Sequence, residues 1–222
     1  MMRLWRREFV YEMMRLGLEA TPYRTLEHIV GVHHVAVTAG RALRRGGVEL
    51  DLALVSGSAI GHDIGKFGCR GEDLGRIAYL HYYYTWQWLS GHGMEHIAHI
   101  SANHSTWDLE LDNISVESLV LIYADFRVKQ MRGEDGRELT KIYTLKDSFD
   151  VILSKLDNVD EKKRNRYRVV YSRLYEFERY MRSKGVDVDL TGHPDPAEKP
   201  VDIVLQSGKQ VVRSFVFWGI EH

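Results

Sequence analysis

Leu52-Ala53-Leu54-Val55-Ser56-Gly57-Ser58-Ala59-Ile60-Gly61-His62-Asp63-Ile64-Gly65-Lys66 is the stretch on which the reading of this chain turns. An apolar run without strand-like alternation ends at two metal-capable side chains placed side by side. Neighbours on a helix point about 100° apart. Such a pair can hold one metal through both side chains only at a helix end, or the carboxylate can bridge two metals. Nine of the eleven histidines lie between His28 and His104. Further on, the apolar run Leu119-Val120-Leu121-Ile122-Tyr123-Ala124 delivers Asp125. The order His, His-Asp, His, His, Asp points to a metal-dependent hydrolase.

The bulk numbers set the frame. With 222 residues and 44% hydrophobic content, the chain can form one helical domain with a real core, or one domain plus an appendage. Thirty basic against 31 acidic residues leave a net charge of −1, so no global charge draws it to nucleic acid or a membrane. The single cysteine, Cys69, excludes an internal disulfide and suits a reducing, cytoplasmic setting. A lone cysteine reads as a small packed residue rather than a ligand. Residues 1–11 lack a signal-peptide core, and no later run approaches the roughly 20 apolar residues of a spanning helix.

Three of the four prolines fall within 191–200, and the long proline-free middle favours helices. Helices are expected near 4–16, 24–45, 50–61, 73–90, 94–103, 115–130, 146–156 and 160–184. Gly46-Gly47 should close the second, and Asp160 and Gly185 should bound the last. The charged stretch 131–139 reads as a loop. The chain divides into an all-α bundle over 1–140, a helical extension over 141–190, a linker over 191–200 and an apolar terminal helix over 201–222. That last segment could dock on its own domain, pair with a second chain as a homodimer, or begin a further region.

Three histidines precede His62. The apolar positions Ile29, Val32, Val35, Ala36, Ala39 and Leu43 recur at helical spacing and centre on one face. His28 lies at one edge of that face and His33 at the other; His34 falls on the polar side with Arg41 and Arg45. His28 is therefore the best first ligand. His33 is the alternative, placed to support a ligand or face a substrate. Among the later histidines, His99 is a reserve ligand, and His92 and His96 read as surface residues.

These residues resemble the HD-domain superfamily of metal-dependent phosphohydrolases. Glu27-His28-Ile29-Val30-Gly31-Val32 is similar to its first-helix signature, and His62-Asp63-Ile64-Gly65-Lys66 to its defining motif. His81, His104 and Asp125 resemble the remaining elements of the dinuclear branches. The likeness spans about residues 23–129. Its nearest wording is that of HD-type diadenosine tetraphosphate hydrolases and HD-GYP phosphodiesterases. Asn103 and the lack of Gly-Tyr-Pro after Trp107-Asp108 differ from the latter, which leaves the nucleotide open.

The resemblance implies a helical HD-domain bundle with two metal sites. His28, His62, Asp63 and Asp125 would hold one ion. Asp63, His81 and His104 would hold a second, with Asp63 bridging. One or two divalent ions of Fe, Mn, Co, Ni or Zn suit such nitrogen and oxygen donors. A hydroxide shared between them would attack phosphorus in a small phosphorylated substrate, a nucleotide ester or anhydride. Asp63 and Lys66 are then the catalytic candidates. Lys66, Trp107, Arg127 and His33 are candidates for substrate contact. The aromatic cluster around His81 could stack a base, although packing explains it as well. The competing function is a nucleotide-binding sensor or scaffold that signals through the C-terminal helices.

Overall fold

The computed structural model describes residues 25–110, 113–132, 138–155, 160–193 and 214–216. The expected helix at 4–16 and the segment 194–200 lie outside them. Among the described residues the fold is all-α, with two short antiparallel ribbons. None of its helices is long and apolar enough to cross a membrane.

Local chemistry explains where each helix begins and stops. Helix α1 (Thr25–Arg45) buries Ile29, Val32, Val35, Ala36, Ala39 and Leu43. Gly47 (φ 82°) then turns the chain left-handed, with Val48 N–H donating to Leu43 O at 2.9 Å and Gly47 N–H to Arg44 O at 3.1 Å. That is a Schellman stop, and it needs a residue without a Cβ penalty. Helix α2 (Leu52–Gly61) is capped by Asp51, whose carboxylate accepts from Ala53 N–H and Leu54 N–H. From Ala53 onward α2 is buried on every side, as an apolar run without a polar face requires.

After α2 come 3-10 turns at Ile64–Gly68 and Gly71–Arg76. Helix α3 (Ile77–Gly91) therefore starts later than the expected 73, and α4 spans Glu95–Ala102. A further 3-10 turn, Thr106–Glu110, leads to strand β1 (Asn113–Ser115) and helix α5 (Val116–Arg127). Ser115 caps α5 by accepting from Ser118 N–H.

Here the expected helix to residue 130 is corrected. It ends at Arg127, and β2 (Val128–Arg132) pairs with β3 (Glu138–Ile142), with Val128 opposite Ile142. Both flanks of the expected charged loop are thus strand. Helices α6 (Leu145–Lys155) and α7 (Glu161–Ser183) follow, the latter capped by Asp160 accepting from Lys163 N–H at 2.7 Å. Gly185 (φ 78°) stands just beyond its end.

The start of the expected linker is pinned. Ile142 and Gly192 exchange backbone hydrogen bonds at 2.6 and 3.1 Å, and His193 Nδ1 donates to Thr140 O at 2.9 Å. At the terminus, the described residues Ser214–Val216 form strand β4 against β1, where a helix was expected. One hydrophobic core joins Leu43, Val55, Leu119, Ile122 and Phe126 to Leu174, Phe177 and Met181. It therefore runs across the boundary expected at residue 140.

Candidate metal centre

The His62-Asp63 pair lies where α2 ends. His62 keeps helical backbone angles (φ −58°, ψ −34°), and Asp63 departs from them (φ −103°, ψ 4°). That break lets two adjacent side chains face one region. Thr85 holds the turn against α3: its Oγ1 accepts from Gly65 N–H and donates to His62 O, both at 3.0 Å. The approach is close enough that a Cβ on Gly65 would lie 2.0 Å from His81 O. Glycine at 65 is therefore what brings Asp63 beside His81.

Two groups of potential ligand atoms result, His28–His62–Asp63 and Asp63–His81–His104, each with its atoms within 4.8 Å of one another. Asp63 divides its carboxylate between them. Its Oδ2 is 3.6 Å from both His28 Nε2 and His62 Nε2. Its Oδ1 is 3.8 Å from His81 Nε2 and 3.9 Å from His104 Nε2. Asp125 joins the first group, its Oδ1 lying 3.0 Å from His28 Nε2 and 3.8 Å from His62 Nε2.

The ring tautomers follow from the backbone. Nδ1 of His62 faces Ala59 O at 2.8 Å, that of His81 faces Ile77 O at 2.6 Å, and that of His104 faces Ser101 O at 2.5 Å. A carbonyl only accepts, so each Nδ1 carries the proton and each neutral ring turns an Nε2 lone pair inward. Burial lowers the His62 pKa and pushes His81 and His104 down to about 4, outweighing the nearby carboxylates. The rings are therefore neutral at pH 7.

Three of these Nε2 atoms are acceptors. His81 Nε2 and His104 Nε2 stand 3.4 Å apart with no proton between them, and His62 Nε2 is 3.3 Å from His28 Nε2, which donates to Asp125 Oδ1. Two imidazoles bound at about 2.0–2.1 Å to one tetrahedral ion have their nitrogens about 3.3–3.4 Å apart. The donor set and its spacing fit a metal ion in each half.

The carboxylates carry the complementary charge. Burial pushes the Asp63 carboxyl up, but Lys66 and the surrounding histidines outweigh it and hold the group well below the usual range. For Asp125, burial is likewise outweighed, chiefly by Lys129 and His28. Lys66 Nζ donates to Asp63 Oδ2, which places the expected catalytic lysine against the shared carboxylate.

The other expected site residues scatter. His33 is buried on α1 and meets Ser56 Oγ at 2.8 Å, so it faces α2 in the core. Arg127 is 1% exposed, and substrate contact for it is corrected. Its Nε donates to Tyr143 O at 2.7 Å, Nη1 to Tyr123 Oη at 3.0 Å, and Nη2 to Leu190 O. The guanidinium ties the end of α5 to the segments after β3 and α7. Trp107 sits half-buried on the 3-10 turn after His104, under Arg166 and beside Tyr167. His99 is exposed on α4.

Two contributors were not anticipated. Thr85 follows His81 by one turn, a spacing that could have marked it. Tyr82, one of the aromatic residues around His81, packs its ring 3.9 Å from His81 and 4.7 Å from His104 by centroid and is hydrogen-bonded to Ser105. No family model, curated protein or solved structure matches this chain.

Proposed function

We propose that this chain is a metal-dependent phosphohydrolase of the HD type, cleaving a nucleotide or nucleotide-like phosphoester or phosphoanhydride. The observation that carries the proposal is the convergence of four Nε2 atoms in two pairs, 3.3 and 3.4 Å apart, on one carboxylate. Asp63 turns one oxygen to each pair, which suits a bridge between two ions of Fe, Mn, Co, Ni or Zn. Bound in that arrangement, the ions would supply Lewis acidity and lower the pKa of a shared water.

The protein's own groups prepare the rest. Backbone carbonyls of α2, α3 and α4 fix three of the rings, so their lone pairs need no reorientation. Lys66 steadies the Asp63 carboxylate and brings a positive charge beside the centre, where a phosphoryl oxygen of the substrate would lie. Asp125 completes the ligand set of the first ion together with His28, His62 and Asp63.

Elemental analysis tests this on protein purified without chelator or metal resin. About two equivalents of transition metal per chain are expected, falling to about one in His81→Ala and His104→Ala. The loaded protein should hydrolyse members of a nucleotide panel. Metal with tight nucleotide binding but no turnover would replace the hydrolase with the sensor reading. Absence of metal after reconstitution would overturn both metal sites.

A further inference from the structure

Tyr82 follows His81 on α3, about 100° further round the helix. His81 is buried, and Tyr82 is half-buried beside it. Its ring lies against both imidazoles of the second pair, 3.9 Å from His81 and 4.7 Å from His104 between centroids. Its phenol oxygen feels the other half of the centre. Of the carboxylates acting on it, Asp125 acts most strongly, followed by Asp63 and Asp108. Such an interaction weakens with distance. The side chain therefore rests on the Asp63–His81–His104 group and carries its hydroxyl toward Asp125, which belongs to the other group.

That is also where the centre opens. The side chains of His62, Asp63 and His104 are 0%, 2% and 3% exposed, whereas those of Asp125 and Lys66 are 23% and 27% exposed. A substrate entering the centre passes between these last two. The neighbouring tyrosines are spent elsewhere: Tyr83 Oη accepts from Gln87 Nε2 at 2.6 Å on the outer face, and Tyr84 Oη donates to Asp73 at 2.7 Å. Ser105 fixes the Tyr82 phenol. Its Oγ accepts from Trp107 N–H at 3.2 Å, and its bond to Tyr82 favours the phenolate, as a hydroxyl donating to the phenol oxygen does. Tyr82 keeps its own proton to give.

We propose that Tyr82 is a catalytic residue of this centre: its phenol O–H, laid over His81 and His104, donates to a phosphoryl oxygen of the substrate at the mouth beside Asp125. This rests on the hydrolase reading of the metal centre. The Asp125 carboxylate repels an anionic phosphate that enters alongside it. A neutral donor at the same place offsets that repulsion without adding a charge next to the imidazoles. The ring is already packed on two histidines, so the hydroxyl is aimed before the substrate arrives.

The test compares Tyr82→Phe and Ser105→Ala with the parent, each loaded with the same metal. Phenylalanine keeps the ring on both imidazoles and removes only the hydroxyl. Its metal content, and its retention of metal against a chelator, should match the parent. The Kd of inorganic phosphate, read by calorimetry, should rise about 10- to 100-fold, as for a hydrogen bond to a charged group. The kcat/KM toward any nucleotide that the parent hydrolyses should fall by a similar factor. Ser105→Ala leaves the phenol in place but less well aimed, and should raise the phosphate Kd only about 3-fold.

An unchanged phosphate Kd in Tyr82→Phe would overturn the proposal. So would equal losses in the two variants, or a loss that follows metal leaving the protein; either would make the hydroxyl a tie between α3 and the turn after His104. Phosphate binding that weakens as expected in a protein without turnover would uphold the contact and retire the hydrolase reading. A metal-loaded parent that binds no phosphate would overturn both.

Discussion

Replacing Arg127 by methionine should destabilise the fold and leave the metal centre's ligands in place. Methionine keeps much of the apolar stem and removes every donor. Tyr143 O and Leu190 O each lose the guanidinium, and Tyr123 Oη loses one of two, since it still donates to Glu178 Oε2 at 2.8 Å. Each lost bond from the charged guanidinium to a carbonyl costs about 1–3 kcal/mol. Both lie in half-buried surroundings where water can enter, which favours the lower half of that range. Glu178 also loses the guanidinium bridged to it through Tyr123, while relief of a buried charge offsets part of the loss. The net expectation is about 2–4 kcal/mol, or a shift of the urea midpoint by about 1–2 M at a typical slope. Equilibrium unfolding in urea, followed by circular dichroism on parent and variant at equal metal loading, measures it. A loss under about 1 kcal/mol would refute the bracing role. A collapse of turnover at unchanged stability would return Arg127 to the substrate side.

Other consequences are equally specific. Thr85→Val keeps the shape and removes the hydroxyl that joins Gly65 N–H to His62 O; it should cost about 1–3 kcal/mol and weaken metal retention, measured by unfolding and by competition with a chelator. Retention equal to the parent would show that the turn is held without it. In metal-free protein, His81 and His104 have folded pKa values near 4, below the 6.5 of the unfolded chain. The unfolded state then binds more protons between those values, so their contribution is complete above about pH 6.5 and is lost as the pH falls toward 4. Going from pH 7 to pH 5 should cost about 2 kcal/mol for each ring, and the double variant His81→Gln/His104→Gln should show a shallower pH slope. An identical slope would mean that other groups carry the acid sensitivity.

The parts of this fold that could be read in the sequence are those set by period and punctuation. The apolar face of α1 distinguished His28 at one edge from His33 at the other. The structure turns His28 to Asp125 and His33 to Ser56. The Gly46-Gly47 stop and the Asp160 cap are local signals with local causes. The hairpin was not legible, because Lys129, Gln130, Met131 and Arg132 favour a helix as readily as α5 does. What overrides them is pairing with residues 138–142 and the bridge from Ile142 to Gly192. The place of Arg127 in the fold was hidden for a related reason. Two of its partners are backbone carbonyls, one of them 63 residues away, and carbonyls leave no mark in a sequence.

The bonds that orient the histidines have a consequence for metal choice. Ala59 O, Ile77 O and Ser101 O stand three or four residues before the rings they hold. Each ring is thus aimed by the turn of backbone that precedes it. A metal ion bound there would meet a seat finished by folding. Occupancy would then separate from assembly: several divalent metals could exchange through the same frame, and supply would decide which of them resides there.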